Sequence, residues 1–272
     1  MSGPNKFGLA SSPRQRRGDQ DRNEANSQWN RRQPISRLAE LIRSASSVVA
    51  LTGAGISVPS GIPDFRSPGT GLWANVDPME VAHISVWRRD PERFWGFYGQ
   101  RFAALEGKEP NRAHRALAEL GIPVITQNID GLHAAAGSRD VIEVHGSIAS
   151  ASCLACGESY PLAETRRRLE EGGVPRCDCG EVLKPDVVLF GEMLDAAAMD
   201  RATRLACGAN LLLCVGSSLE VWPVAELPEV TLGCGGELAI VTKSATPYDR
   251  DAAVRLNGDV VEELDAVLAL LA

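Results

Sequence analysis

A glycine-rich turn directly after an apolar run is the feature of this sequence that most constrains its fold. Residues 47–51 read SVVAL, and TGAGIS follows at residues 52–57. Glycines at such a point allow a tight turn and a close approach of the backbone to a pyrophosphate group. The third glycine of the dehydrogenase fingerprint is missing, because the next glycine is Gly61. The turn alone is therefore compatible with a phosphate cradle or with a plain strand-to-helix connection.

A second, distant segment carries the polar groups that a dinucleotide site would need. Residues 126–133 read TQNIDGLH and residues 143–146 read EVHG. Histidine titrates near neutral pH, which makes His145 the candidate general base. Of the other three histidines, His114 and His133 are interpreted as structural, and His83 has no clear interpretation. A dinucleotide site beside a single base indicates chemistry on the dinucleotide itself.

Apolar runs alternate with helical patterns along most of the chain. Strands are predicted at Val48–Leu51, Val124–Thr126, Val141–Val144, Val187–Phe190, Leu211–Val215 and Leu238–Val241. Helices are predicted from Pro34 onward and at Pro91–Leu105, Asn111–Leu120, Ile129–Ala136, Ala196–Cys207 and Val260–Leu271. This alternation predicts an α/β fold with a mostly parallel, doubly wound sheet. Ligands of such sheets lie beyond the carboxyl ends of the strands, where the polar motifs fall.

Charge and hydropathy limit the partners of the protein. The chain has 272 residues and a net charge of −7, although residues 1–32 alone carry +4. Residues 1–33 are therefore predicted to be a disordered basic tail, followed by an acidic body. An acidic body argues against nucleic-acid binding and suits basic, lysine-bearing protein segments. No apolar run is long enough to span a membrane and no export signal is evident, so a cytoplasmic location is expected.

Four of the seven cysteines are grouped in two pairs. Two residues separate Cys153 from Cys156, and one residue separates Cys177 from Cys179. Four thiolates on two such knuckles form the ligand set of a structural zinc ion, and unrelated reduced cysteines are the alternative. A chain without an export signal is not expected to rely on disulfides. The remaining three, Cys207, Cys214 and Cys234, are interpreted as small core residues.

The order of these motifs resembles that of the sirtuins, the NAD-dependent protein deacylases. The resemblance runs from about Ile35 to the C-terminus and includes FGE at 190–192 and GSSL at 216–219. It implies a Rossmann-like domain built from 34–146 and 186–272, with a zinc module inserted at about 147–185. Two positions depart from the family pattern. The second cysteine pair is one residue closer than usual, and Thr242 stands where the family usually has asparagine.

The resemblance also implies the roles of individual residues. His145 and Asn128 are the catalytic candidates, with NAD as co-substrate. Asn128 would order the ribose and a water molecule, and Ile129 and Asp130 would hold the nicotinamide carboxamide. Phe65 would cover the reactive carbon, and Arg66 would contact phosphate. The full set of expected cofactor contacts is Gly53, Ala54, Gly55, Ile56, Val58, Asp64, Phe65, Arg66, Gln127, Asn128, Ile129, Asp130, Gly216, Ser217, Ser218, Thr242 and Val260.

The implied partner is a protein with an acylated lysine, bound as an added β-strand. The expected contacts are Val188, Phe190, Gly191, Glu192, Glu220 and Val221. Tyr98 and Arg101 stand three residues apart on a predicted helix, a pattern that some sirtuins use to recognise succinyl- or malonyl-lysine. Packing of Tyr98 among the aromatic residues of that helix is the alternative, which leaves plain deacetylation as the main expectation. The sequence leaves the oligomeric state open.

Two other functions remain compatible with these residues. NAD glycohydrolysis or ADP-ribosyl transfer would use the same site with water or another nucleophile. A non-catalytic ADP-ribose-binding module is the alternative from a different class, but such a module would not need His145, Asn128 and Asp130 together.

Overall fold

The computed structural model of the protein describes residues 32–64, 71, 76–105 and 107–272. The nine strands are β1 (Val48–Thr52), β2 (Val124–Thr126), β3 (Val141–Glu143), β4 (Gly146–Cys153), β5 (Ser159–Pro161), β6 (Leu183–Val187), β7 (Leu211–Val215), β8 (Glu237–Val241) and β9 (Val254–Leu256) within those residues. The helices there are α1 (32–44), α2 (Pro78–Val81), α3 (Ile84–Arg89), α4 (Pro91–Leu105), α5 (Arg112–Leu120), α6 (Leu132–Ala135), α7 (Leu162–Gly172), α8 (Ala196–Gly208), α9 (Leu227–Gly233) and α10 (Val260–Leu271). Residues 1–31 of the predicted tail lie outside the described residues, as do Phe65 and Arg66.

Six strands form one parallel sheet in the order β3-β2-β1-β7-β8-β9. Strand β1 lies beside β7, with Val48 opposite Leu211 and Thr52 opposite Val215. The strand order is that of a Rossmann fold, and the direction in which successive strands are added to the sheet reverses between β1 and β7. The predicted doubly wound α/β fold is confirmed. The switch point places the ends of β1 and β7, with the turns that follow them, side by side.

Helices cover both faces of this sheet. On one face, α1, α5 and α10 contribute to a core that includes Leu38, Leu117 and Leu264. On the other face, α8 and α9 pack on Leu51, Leu212 and Ile240, among others. Most of these strand residues are buried on both sides of the chain, which explains their continuous apolar runs. Within the described residues, no helix is both long and apolar enough to cross a membrane.

A smaller lobe is built around an antiparallel sheet with the order β5-β4-β6. Helices α2, α3 and α4 pack against this sheet in a third core, which also contains Cys153 and Cys177. The carbonyl oxygen of Leu183 accepts hydrogen bonds from the indole nitrogens of Trp87 (3.0 Å) and Trp95 (3.1 Å), and so joins α3 and α4 to β6. The lobe therefore uses residues from two separate parts of the chain.

The predicted strand Val187–Phe190 is wrong in extent and in sheet. The strand is Leu183–Val187, and it pairs antiparallel with β4 in the small lobe. Lys184 and Pro185 break the apolar pattern of this strand, because lysine is polar and proline cannot donate to a ladder. Val187 and Leu189 are apolar because they enter the core of the small lobe.

The interpretation of Cys207 and Cys234 as buried core residues is also wrong. Both lie on the surface at the ends of α8 and α9, and they form a disulfide that closes a separation of 27 residues. Their proximity comes from the packing of α8 against α9, which a local sequence pattern does not show. Cys214 is buried in β7, as expected.

Candidate active site

A cleft of about 620 Å³ opens beyond the carboxyl ends of β1, β2 and β7. This volume is ordinary for a small-molecule site. The predicted site residues on its wall are Gly53, Ala54, Gly55, Asp64, Tyr98, Arg101, Gln127, Asn128, Ile129, His145, Val188, Phe190, Gly191, Glu192, Gly216, Ser217, Ser218, Glu220, Val221 and Thr242. The structure thus brings together residues from distant segments of the chain.

Two glycine turns pack tightly at the switch point. The N–H of Gly55 donates to the carbonyl oxygen of Gly216 at 2.8 Å. A Cβ atom on Gly55 would lie 2.7 Å from that oxygen, and one on Gly216 would lie 2.2 Å from the nitrogen of Ile56. Gly216 also has a φ of 62°, which side chains disfavour. These glycines are needed for the two turns to meet, and the contact leaves a backbone-lined floor to the cleft.

Asn128 and Asp130 are held by a network on Ser57. The amide nitrogen of Asn128 donates to the carbonyl oxygen of Gly53 at 3.2 Å and to Ser57 Oγ at 3.1 Å. Ser57 in turn donates to Asp130 Oδ2 at 2.7 Å. The amide of Asn128 is therefore fixed in one orientation by groups at the end of β1. Its oxygen is the atom left to meet a ligand.

His145 lies between β3 and β4 with its ring fixed by the backbone. Its Nδ1 lies 2.8 Å from the carbonyl oxygen of Gln127. Because a carbonyl only accepts, Nδ1 carries the proton in the neutral ring and Nε2 is left as the basic atom. Burial lowers the pKa of His145, and the bond to Gln127 opposes that shift. A neutral imidazole with a defined basic nitrogen is the state that a general base needs at neutral pH.

The outer part of the cleft contains further hydroxyl and amide groups. Gln127 Nε2 donates to Ser217 Oγ at 2.8 Å. Thr242 directly follows β8, where it is buried and lines the same cleft. Ser218 lines the cleft beside them. These groups surround the turn at Gly216 with hydrogen-bonding atoms suited to ribose or phosphate.

Of the predicted cofactor residues that the structure describes, four are not on the cleft wall. Ile56 and Val260 are buried in the core between the sheet and α10, and Val58 is exposed. Asp130 acts from behind the wall, through Ser57. Several wall residues were not predicted, namely Ala82, Val187, Leu189, Leu194, Trp222, Ser244 and Ala245. The position of Ser244, just after a central strand, was a signal that could have identified it.

Two chain segments face each other across the cleft. Phe190 is 44% exposed, and its N–H and C=O bond to Ala82 O and Ile84 N. Gly191 has a φ of 84°, and a Cβ there would lie 2.4 Å from the ring of His83. Among the described residues, no backbone partner is found for the carbonyl of Val188 or the N–H of Gly191. The opposite side is formed by Glu220, Val221 and the exposed Trp222.

Tyr98 and Arg101 lie on the cleft wall together. Tyr98 is buried and stacks on Phe94 with ring centroids 4.5 Å apart. Burial raises the pKa of Tyr98 to about 12 and lowers that of Arg101. Arg101 is partly exposed and lines the same wall.

The four paired cysteines meet in the small lobe. Their sulfur atoms all lie within 4.8 Å of one another, with Cys153 to Cys179 at 3.5 Å and Cys156 to Cys177 at 3.4 Å. Tetrahedral zinc with Zn–S bonds of about 2.3 Å separates its sulfurs by about 3.8 Å. The set therefore fits one zinc ion despite the short second pair. Four thiolates complete the coordination, so such an ion has a structural role.

The fold and this cleft define a dinucleotide-binding α/β protein with a histidine on the cleft wall and a four-cysteine cluster suited to a metal ion. The model of the Sir2 family matches residues 53–223. An NAD-dependent protein deacetylase of Sulfolobus acidocaldarius is 48% identical over 79% of this chain and 86% of its own length. One from Thermotoga maritima is 42% identical over 82% of this chain and 92% of its own length. The chain belongs to the Sir2 family, as its motifs predicted.

Solved structures agree with this assignment. A Sir2 structure with deacetylated p53 peptide and 3′-O-acetyl-ADP-ribose has a TM-score of 0.83 and 39% identity, covering 87% of this chain and 98% of its own. A Sir2 structure with p53 peptide and NAD+ has a TM-score of 0.78 and 40% identity, covering 85% and 95%. A third holds a propionylated peptide, with a TM-score of 0.80 and 39% identity, covering 88% and 99%.

Proposed function

We propose that the protein is an NAD-dependent protein deacetylase, which moves the acetyl group of a protein lysine to the ADP-ribose part of NAD. One water molecule is consumed, and the products are nicotinamide, O-acetyl-ADP-ribose and free lysine. The observation that carries this proposal is His145, whose basic Nε2 is set by the bond from Nδ1 to Gln127 on the wall of a dinucleotide-sized cleft. NAD supplies the activated ribose, and the protein supplies position and a proton acceptor.

The inner end of the cleft suits the nicotinamide riboside. Asn128 is fixed through its amide nitrogen and presents its oxygen to a ribose hydroxyl or a water molecule. Ile129 lines the same wall, and Asp130 supports it from behind Ser57. The glycine turns at Gly53 and Gly216 provide backbone contact for the pyrophosphate, and Ser217 and Thr242 lie toward the adenosine end. Threonine at 242 offers a hydroxyl but no amide, so we expect fewer hydrogen bonds to the adenosine ribose.

His145 acts as the base that removes a proton from a ribose hydroxyl. The acyl oxygen would by then have replaced nicotinamide on the ribose, so the hydroxyl would attack the acyl carbon, and a water molecule would release the lysine amine. Burial disfavours the charged ring, and the bond to Gln127 moderates this effect, so the ring is neutral before the proton transfer. The proton moves to Nε2, while Nδ1–H continues to donate to the Gln127 carbonyl.

The substrate segment binds between the two edges of the cleft as an added strand. Within the described part of the chain, the Val188 carbonyl and the Gly191 N–H have no backbone partner and can join this pairing, and Glu220 and Val221 lie opposite. Backbone pairing of this kind places few demands on substrate sequence. The acetyl-lysine enters past Phe190, toward His145. Tyr98 and Arg101 lie where they would meet a longer acidic acyl chain, which makes succinyl-lysine the alternative substrate.

The zinc ion that Cys153, Cys156, Cys177 and Cys179 would hold supports the small lobe. It has no open coordination position, so it takes no part in the chemistry. We place the protein in the cytoplasm, as its sequence predicts. The Cys207–Cys234 disulfide is unusual for that compartment, except in hyperthermophilic archaea and bacteria, whose intracellular proteins do contain disulfides.

One assay separates this proposal from its rivals. The protein is mixed with NAD and an acetylated peptide, and nicotinamide release is measured with and without the peptide. Release that depends on the peptide, with a matching loss of acetyl mass, supports deacetylation. Release without peptide would instead indicate glycohydrolysis, and binding of ADP-ribose without any release would indicate a binding module.

A further inference from the structure

Lys184 is a buried charged residue that neither the cofactor site nor the metal site uses. Its side chain is 11% exposed, and it lies in β6, opposite Ser152 of β4. Burying an ammonium group is costly unless its three N–H groups find acceptors. Lys184 Nζ donates to Val187 O at 2.8 Å, to Pro185 O at 3.2 Å and to Glu192 Oε2 at 2.9 Å. Every donor is therefore satisfied, and one acceptor belongs to the edge of the cleft.

The partner of Lys184 closes a turn at that edge. Glu192 Oε2 also accepts from the backbone N–H of Leu189 at 2.9 Å, and the N–H of Glu192 donates to Leu189 O at 3.0 Å. One carboxylate oxygen thus connects the ammonium group to both ends of the turn 189–192. Phe190 and Gly191 form the tip of this turn and face the cleft.

Three separate anchors hold residues 188–192. Val188 N donates to His145 O at 2.8 Å, and Phe190 bonds to the backbone of Ala82 and Ile84. Those two anchors are backbone-to-backbone hydrogen bonds, which do not depend on which side chains stand at these positions. The third anchor, from Lys184, is the one made by side chains. It fixes the end of the segment that the other two do not reach.

We propose that Lys184 is a positioning residue for the protein substrate, because its ion pair with Glu192 fixes the turn at 189–192 in the shape that receives the peptide strand. This inference rests on the proposed deacetylase function. Without the ammonium group, the half-buried Glu192 carboxylate would lose its paired charge and would turn toward solvent. Leu189 N would lose its acceptor, and the tip at Phe190 and Gly191 would lose its fixed position. NAD contacts at Gly53, Asn128 and Ser217 lie elsewhere on the wall and would remain.

The position of Lys184 also connects the peptide edge to the metal site. Leu183, the preceding residue, pairs with Cys153, one of the four thiolate residues. Strand β6 therefore carries a direct contact with the cysteine cluster at one end and with the substrate edge at the other. A disturbance of the cysteine cluster is therefore expected to weaken peptide binding more than NAD binding.

The test compares the Michaelis constants for acetylated peptide and for NAD in Lys184→Met, which keeps the apolar stem but removes the charge. We expect the peptide KM to rise about tenfold or more while the NAD KM changes less than about twofold, because a displaced edge misaligns only one substrate. Lys184→Arg should restore most of the peptide affinity. Arg201→Met is the matched control, because it removes an exposed ion pair with Asp140 at the far edge of the sheet.

A double variant tests whether Lys184 acts through Glu192. Glu192→Gln keeps the shape of the side chain but removes its charge, and we expect it to raise the peptide KM by a smaller factor. The double variant with Lys184→Met and Glu192→Gln should have a peptide KM no higher than that of Lys184→Met alone, because the effects of two residues in direct contact do not add. If each substitution raises the peptide KM by its own factor and the two factors multiply in the double variant, the proposal is overturned.

The outcomes distinguish this proposal from the function on which it rests. A wild-type protein without deacetylase activity would overturn the proposed function itself. An active wild type whose Lys184→Met variant has a lower melting temperature but unchanged KM values would show a purely structural ion pair and would overturn this inference. If Lys184→Met does not fold, Glu192→Gln decides the question, and an unchanged peptide KM in that folded variant contradicts the proposal.

Discussion

The imidazole rings of His114 and His133 lie edge to face, with centroids 4.9 Å apart, beneath the cofactor cleft. Both side chains are buried, and His133 Nε2 lies 2.9 Å from Thr52 Oγ1, while His114 Nε2 lies 3.3 Å from Ser57 Oγ. Within the described residues, neither Nδ1 atom has a hydrogen-bond partner. The pair joins the strand that precedes the glycine turn to the network that orients Asn128.

We expect this pair to make the protein sensitive to acid. Burial lowers the pKa of His114 to about 4, against the opposing charge of Asp130, and burial lowers that of His133 to about 3. In the unfolded chain both would titrate near the ordinary value of about 6.5. Below that pH the unfolded state binds protons that the folded state does not, so the free energy of unfolding falls as pH drops toward 4.

Each histidine should contribute a slope of about 1.4 kcal/mol per pH unit in that window. Urea denaturation of wild type and His133→Gln between pH 7 and pH 4 measures the difference. The variant should lose less stability over this range than the wild type. Parallel curves for the two proteins would show that His133 is not held in its neutral form.

The second prediction concerns His145 as the base. Replacing it in His145→Ala should lower deacetylation by about 10²–10⁴-fold, the usual cost of losing a general base. NAD binding and the melting temperature should change little, because the substitution removes a single hydrogen bond, the one to the Gln127 carbonyl. Activity above about a tenth of wild type would rule out this role for His145.

The pH dependence of wild-type activity tests the same residue. Because burial lowers the pKa of His145, the neutral, basic form persists below the usual titration range of histidine. The acid limb of kcat/KM should therefore have its midpoint below pH of about 6.5, and activity should fall as pH drops through it. A midpoint above that value would contradict the buried environment of the ring.

The third prediction is that one zinc ion holds the small lobe together. Metal analysis of wild type should find one zinc per chain, and Cys156→Ser should lose it. Because β4 and β6 pair beside the cluster, the melting temperature and the activity of this variant should both be lower than those of the wild type. Cys214→Ala is the matched control, since Cys214 is buried in the other sheet and should keep the metal. Folded wild type without stoichiometric zinc would refute the assignment.

The fourth prediction concerns the acyl group. If Arg101 binds an acidic acyl chain, Arg101→Met should lower kcat/KM on a succinyl peptide by a factor that corresponds to roughly 2–5 kcal/mol of binding free energy. The kcat/KM on the matched acetyl peptide should stay unchanged. Arg93→Met is the control on the same helix, because Arg93 is exposed and pairs with Glu80. Equal losses on both peptides, or none, would leave Tyr98 and Arg101 as packing residues and the enzyme as a plain deacetylase.

Local patterns in the sequence predicted much of the site. The glycines at 53 and 55 follow an apolar strand, and the polar groups at 127–130 follow another, so both had to lie at the carboxyl edge of a parallel sheet. The cysteine pairs predicted their own cluster, because a metal site is encoded by ligand type and spacing. These features depend on residues close together in the chain.

Other features depended on contacts that no local pattern contains. The sequence alone determined that the chain folds as a doubly wound sheet, with a dinucleotide site, a candidate base at His145 and a four-cysteine module. Only the tertiary structure decided that Cys207 meets Cys234, that residues 183–187 form a strand of the small lobe, and that Lys184 pairs with Glu192. The physical reason is that periodicity reports which side of an element is buried, whereas the identity of the neighbour across that surface is set by how distant elements pack.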